Sequence, residues 1–188
     1  MINLKVITAS TRPGRKGILV SHWVLKQIQK NPELKIEHLD LAEINLPFMD
    51  EPHHPRLQKY TKQHTFEWSK MISGADAFVI VMPEYNYGFT APLKNAIDFL
   101  SKEWAYKALG IVSYGGLSAG TRAAQMIKQV LTTLKLFVVT EAVNIPFFET
   151  HVKADIFEGT EMLNRGLDHM IAEIIKVDKG LRIIRSAQ

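Results

Sequence analysis

Hydrophobic residues fall along the chain in two alternating rhythms. Short apolar runs rich in β-branched residues occupy positions 4–8, 35–39, 77–82, 109–113 and 136–140. Between them, apolar positions recur at helical spacing: Val20, Val24 and Ile28; Tyr60, His64, Trp68 and Met71 or Ile72; Leu93, Ile97 and Leu100; Ala123, Ile127, Val130 or Leu131, and Leu134. Each set places one apolar stripe on one helix face. A last helix is predicted over 160–179, burying Leu163, Leu167, Met170, Ile171 and Ile174, with Gly180 as its left-handed stop. Strands alternating with helices predict a three-layer α/β domain with a parallel sheet.

Residues 40–56 break the rhythm. This polar connection, marked by Pro47, Pro52 and Pro55, carries no clear period. Connections of that length are commonly binding loops or interface elements. No internal repeat or linker divides the chain, so its 188 residues are expected to form one domain.

Composition narrows the chemistry. There are no cysteines, which excludes disulfides, thiolate nucleophiles, iron–sulfur clusters and cysteine-based zinc sites. Redox chemistry would then need a bound cofactor. A net charge of +4 suits small anions and is too scattered for nucleic acid. No stretch approaches the roughly 20 apolar residues of a membrane span, and the start lacks a secretory layout, so a cytoplasmic location is expected. His53 and His54 adjoin Asp50 and Glu51, but neighbouring residues point to different sides and no ligand spacing is visible, so no metal is expected. Trp23, Trp68, Trp104 and Phe89 read as packing residues, and Lys94, Asn95 and Asp98 as the start and outer face of a helix.

Ligands of open parallel sheets bind beyond the carboxyl ends of the strands, where the winding reverses. Three loops there have unusual composition. After the first strand, residues 9–17 supply Ser10, Thr11, Arg12, Arg15, Lys16 and Gly17 just before a helix. Backbone N–H groups, the positive helix end and cations together suit a phosphate. The segment matches neither the dinucleotide fingerprint nor the P-loop, and by itself reads equally well as a solvated basic turn with a serine cap. After the third strand come Pro83, Glu84, Tyr85, Asn86 and Tyr87, which suit a flat heteroaromatic ligand. Ser113, Tyr114, Gly115 and Gly116 follow the fourth strand, where adjacent glycines allow close backbone approach.

Ser10-Thr11-Arg12, Pro83-Glu84-Tyr85-Asn86 followed by Pro92-Leu93-Lys94-Asn95-Ala96-Ile97-Asp98, and Ser113-Tyr114-Gly115-Gly116 resemble the NAD(P)H-dependent FMN reductase family, which includes azoreductases, quinone reductases and chromate reductases. The resemblance runs from about residue 4 to 146. It implies a flavodoxin-like fold with strand order 2-1-3-4-5 and two-electron transfer from NADH or NADPH through FMN to a small acceptor. It further implies that Ser10, Arg12, Arg15, Lys16 and Gly17 surround the FMN phosphate, that Pro83 to Tyr87 line the isoalloxazine, and that Ser113 to Gly116 lie on its other side. A homodimer or homotetramer is implied as well, with 40–56 as a wall of the pocket. No catalytic side chain is singled out, because the flavin ring itself accepts hydride. Ala9 and Gly88 depart from the family, where glycine and serine are common. A flavodoxin-type electron carrier is the alternative, since fold alone does not decide function.

Overall fold

The computed structural model describes residues 1–187. Five strands, β1 (Ile2–Thr8), β2 (Leu34–Asp40), β3 (Ala77–Pro83), β4 (Ala108–Tyr114) and β5 (Phe137–Ile145), form one parallel sheet in the order β2-β1-β3-β4-β5. The order in which successive strands are added across the sheet reverses between β1 and β3, the expected switch point.

In β1, β3 and β4 the apolar runs are explained by burial on both faces, whereas the edge strands β2 and β5 are partly exposed. Along β3, Val79 and Val81 join one hydrophobic layer, while Phe78, Ile80 and Met82 join the other. This is the two-residue alternation of a pleated strand. The first layer is covered by α1 (Gly17–Ile28), through Val20, Val24 and Ile28, and by α6 (Glu161–Ser186), through Leu163, Leu167, Met170 and Ile174. The second is covered by α3 (Gln63–Ser73), α4 (Ala91–Asp98) and α5 (Thr121–Thr133), through Ile72, Leu93, Ile97, Ile127 and Leu131. Trp68 and Trp104 are buried edge-on in this layer, and their indole N–H groups donate to the Ala96 and Ile97 carbonyls. Trp23 packs on Phe157.

Three local expectations need correction. The last helix does not stop at Gly180 but continues to Ser186. Leu181 is buried beyond it, Arg182 and Arg185 bond the buried Asp178 at 2.6 and 2.8 Å, and Arg185 also reaches the Tyr106 carbonyl. These contacts outweigh the roughly 1 kcal/mol helix cost of glycine. The 40–56 connection is not wholly irregular: it opens on α2 (Leu41–Ile44), whose start is capped by the Asp40 carboxylate accepting from the Ala42 N–H. It also closes on a 3-10 turn, Pro55–Leu57. Finally, β6 (Val152–Lys153) and β7 (Ile156–Phe157) form a small antiparallel hairpin not anticipated from sequence.

The segment after α2 is pinned to its neighbours. Asn95 on α4 donates to the Pro47 carbonyl and accepts from the Met49 N–H, and Tyr60 donates to Glu103 at 2.7 Å. Lys94 pairs with Asp98 one turn on. His54 accepts from the Arg56 N–H, and His64, not His53, pairs with Asp50. Among the described residues no helix is long and apolar enough to cross a membrane, and no cluster of three or more His, Asp or Glu is placed to hold a metal.

Candidate active site

The carboxyl ends of β1, β3 and β4 present their loops side by side, and hydrogen bonds lock the loops together. The Thr90 hydroxyl at the start of α4 donates to the Ala9 carbonyl, joining the third-strand loop to the first. The Glu84 N–H donates to the Tyr114 carbonyl, joining it to the fourth. Gly115 donates to Ile145, while Phe147 and Phe148 donate back to the Gly116 and Gly115 carbonyls.

These loops enclose a cavity of about 420 Å³, within the usual range for small-molecule sites. Ser10, Arg12, Arg15, Lys16 and Gly17 line one end. The first turn of α1 carries no acidic residue and no side chain caps it, so its N–H groups and positive dipole face this end. Gly17 is required by packing. A Cβ there would lie 1.9 Å from the Tyr114 hydroxyl oxygen, and Tyr114 is itself buried against Phe148 with ring centres 4.9 Å apart. Burial also pushes the Tyr114 phenol upward, so it stays protonated.

Arg15 is not free. Its guanidinium forms a two-pronged pair with Asp40 at the end of β2, both contacts at 2.6 Å, and donates to the Ser10 carbonyl at 2.7 Å. Burial pushes the Asp40 carboxyl up, but the bonds from Arg15 and the Ala42 N–H prevail and hold it below the usual range. Arg12 and Lys16 are the exposed cations of the loop.

Pro83, Glu84 and Tyr85 line the cavity from the third-strand loop, and Tyr114, Gly115 and Gly116 from the fourth. Gly116 is open, since a Cβ there would meet nothing within 4 Å. Asn86 and Tyr87 face an adjoining cavity of about 360 Å³, which shares Glu84 and Gly116 with the first. Ser113 is buried behind the wall, where its hydroxyl bonds the Ala119 carbonyl and Asn144. Its place is structural support for the loop. Phe147, Phe148, Glu149 and Thr150 complete the cavity and were not expected. The only local sign of them is an aromatic pair just past a strand, because their position depends on the bonds to Gly115 and Gly116. Asp40 was likewise missed, being visible in sequence only as the first residue of a polar connection.

The family model for NADPH-dependent FMN reductase matches residues 2–150. An NAD(P)H-dependent FMN reductase of Nectria sp is 35% identical over 153 residues, covering 78% of this chain and 76% of that one. Another, from Saccharomyces cerevisiae, is 31% identical over 186 residues, covering 93% and 97%. The fold matches that of a flavoenzyme NAD(P)H:(acceptor) oxidoreductase from Paracoccus denitrificans, with a TM-score of 0.77 over 95% of this chain and 98% of the other, at 17% identity. On the extent of the sequence match and the arrangement of the three loops, the chain belongs to the NADPH-dependent FMN reductase family.

Proposed function

We propose that this protein is an NAD(P)H-dependent oxidoreductase that holds one FMN in the 420 Å³ cavity and passes two electrons to a small acceptor such as a quinone, an azo compound or free flavin. The observation that carries the reading is the polarity of that cavity. One end offers an uncapped helix start, Ser10, Arg12 and Lys16, a donor set suited to a terminal phosphate. Its other end offers Pro83, Tyr85, Phe147 and the open backbone of Gly116, suited to a flat ring. Family membership supports the same assignment.

In this reading Arg12, Lys16 and the N–H groups at the start of α1 hold the phosphate, while Arg15 braces the loop through Asp40. Pro83 to Tyr85 and Tyr114 to Gly116 bound the ring, with Asn86 and Tyr87 at its margin. FMN, when bound, supplies the hydride acceptor, so the chain's own work is binding, orientation and exclusion of water. The Gly116 backbone N–H is the donor of this segment open to the ring edge, where it would stabilise negative charge, since that of Gly115 is engaged by the Ile145 carbonyl.

We further infer that the chain acts as one domain, since both hydrophobic layers are built on the same five strands, and that copies associate as a homodimer or homotetramer around the exposed Phe48 and the exposed Leu117, the latter lining the adjoining cavity. Sedimentation showing only monomer would remove the second point. The test of function is direct. Purified protein should carry or take up FMN in preference to FAD, and NADPH or NADH should bleach its visible absorbance without any partner protein. Failure to bind FMN would overturn the reading, whereas FMN binding without bleaching would favour an electron carrier.

A further inference from the structure

The turn that lines the ring end of the cavity has an improbable backbone. Tyr85 and Gly88 exchange two hydrogen bonds of 2.9 Å, closing a tight hairpin over Asn86 and Tyr87. Both central residues lie in the left-handed region, at φ 49° and 72°. That is the conformation of a type I′ turn, which favours Asn at its first central position and glycine at its second. Asn86 fits. Tyr87 does not, because its Cβ crowds the backbone there, so contacts elsewhere must hold the turn.

Those contacts converge on one side chain from α5. The Arg122 guanidinium lies over the Tyr87 ring, 3.8 Å from its centre, well inside the distance of a cation–π contact. The same guanidinium donates through Nε to the Glu84 carboxylate at 2.6 Å, and pairs with it through a second nitrogen. Glu84 also accepts from the Arg122 backbone N–H at 3.1 Å, which ties it to the uncapped start of α5. Its carboxylate is 5% exposed against 44% for Arg122. Burial pushes the Glu84 carboxyl up, but the bonds from Arg122 and Ser118 prevail and keep it ionised. Glu84 and Tyr87 thus flank the turn on both sides, and one planar cation holds both.

We propose that Arg122 is a positioning residue for the FMN site: by binding Glu84 and stacking on Tyr87, it holds residues 84–88 in the strained turn that presents Pro83 to Tyr85 to the ring. The inference rests on the flavin reading above. It requires a flat, two-sided cation, so lysine, a compact point charge, replaces it only in part. Arg122 itself lines the adjoining cavity and not the FMN cavity, so its effect on the cofactor passes through the turn.

The test compares wild type, Arg122→Ala and Arg122→Lys by FMN titration of apoprotein, visible circular dichroism of the bound flavin, and thermal melting of apoprotein. Arg122→Ala should weaken FMN binding about tenfold, on the scale of a lost charge-assisted contact, and change the flavin dichroism. Arg122→Lys should fall between. Apoprotein melting should fall by no more than about 8 °C, the shift of roughly 2 kcal/mol in a chain of this size, because the buried Glu84 loses the guanidinium but keeps the backbone N–H of residue 122. Unchanged affinity and dichroism in Arg122→Ala would overturn the proposal while leaving the FMN assignment standing. So would apoprotein that is partly unfolded at the titration temperature, with the loss of affinity in proportion to the unfolded fraction. Wild type that takes up no FMN would instead mark failure of the functional reading itself.

Discussion

Arg15 and Asp40 meet face to face across the ends of β1 and β2, with two parallel contacts of 2.6 Å and only 1% of the Asp40 side chain exposed. The pair joins the phosphate-side loop to the first turn of α2, because Asp40 also caps that helix. Replacing Asp40 by Asn should therefore cost about 3 kcal/mol of stability, the scale of breaking a buried pair, with unfolding still in a single transition. The sign of its pH dependence follows from the depressed carboxyl. Because the folded value lies below the unfolded one of about 3.9, the stabilisation is fully present above about pH 4 and is lost as pH falls through the folded value. Denaturant melts of wild type and Asp40→Asn should differ clearly at pH 7 and converge in acid; a constant gap would show that the ion pair is not its source.

Arg12 has no such structural duty. Its exposed side chain stands at the phosphate end of the cavity, and Arg12→Ala should remove one charge-assisted contact of roughly 2 to 3 kcal/mol, or about 30-fold to 150-fold in FMN affinity. Folding should change by less than about 0.5 kcal/mol. Fluorescence titration of apoprotein with FMN checks this, and wild-type affinity would remove Arg12 from the phosphate site.

Gly17 tests the packing between helix start and pocket wall. An alanine there would place its Cβ 1.9 Å from the Tyr114 oxygen and 2.9 Å from the ring carbon bearing it. The ring is buried and cannot simply swing away, so Gly17→Ala should lose roughly 1 to 3 kcal/mol of stability and bind FMN more weakly. Adding Tyr114→Phe removes the nearest clash and should recover part of both. Melting curves and FMN titration of the single and double variants decide the matter, and an unperturbed Gly17→Ala protein would contradict the geometry.

Kinetics follow from the one flavin ring expected in the cavity at the switch point. Nicotinamide and acceptor must each come within about 3 to 3.5 Å of the same ring, and the walls from Pro83 to Tyr85 and Phe147 to Thr150 bound one such space. Donor and acceptor should therefore bind in turn, giving a ping-pong scheme. Rates with NADPH and a quinone varied against each other should yield parallel double-reciprocal lines, with high acceptor competing against the nicotinamide. Intersecting lines would mean that both substrates are bound together.

Local pattern determined much of this protein. The inner strands and the five principal helices were legible because burial on two sheet faces forces continuous apolar runs, and burial of one helix face forces a four-residue repeat; the partly exposed edge strand β5 extends to Ile145, five residues past the expected 136–140. Ser10 to Gly17, Pro83 to Tyr87 and Tyr114 to Gly116 were legible as loops because they interrupt those patterns at the carboxyl ends of strands. Gly180, in contrast, carried a local stop signal that Leu181, Arg182 and Arg185 override through burial and contacts to Asp178 and to the distant Tyr106. Which cations are free and which are engaged was also decided only in three dimensions. Arg12 and Arg15 look alike in sequence, yet the β1–β2 register brings Asp40 beside one of them alone. Likewise Glu84 and Arg122 are 38 residues apart, and their pairing exists only because β3 and β4 lie side by side and set the start of α5 against the 84–88 turn. Periodicity records which side of an element is buried, a short-range property; the partner that a charged group finds depends on strand order and register, which no single segment encodes.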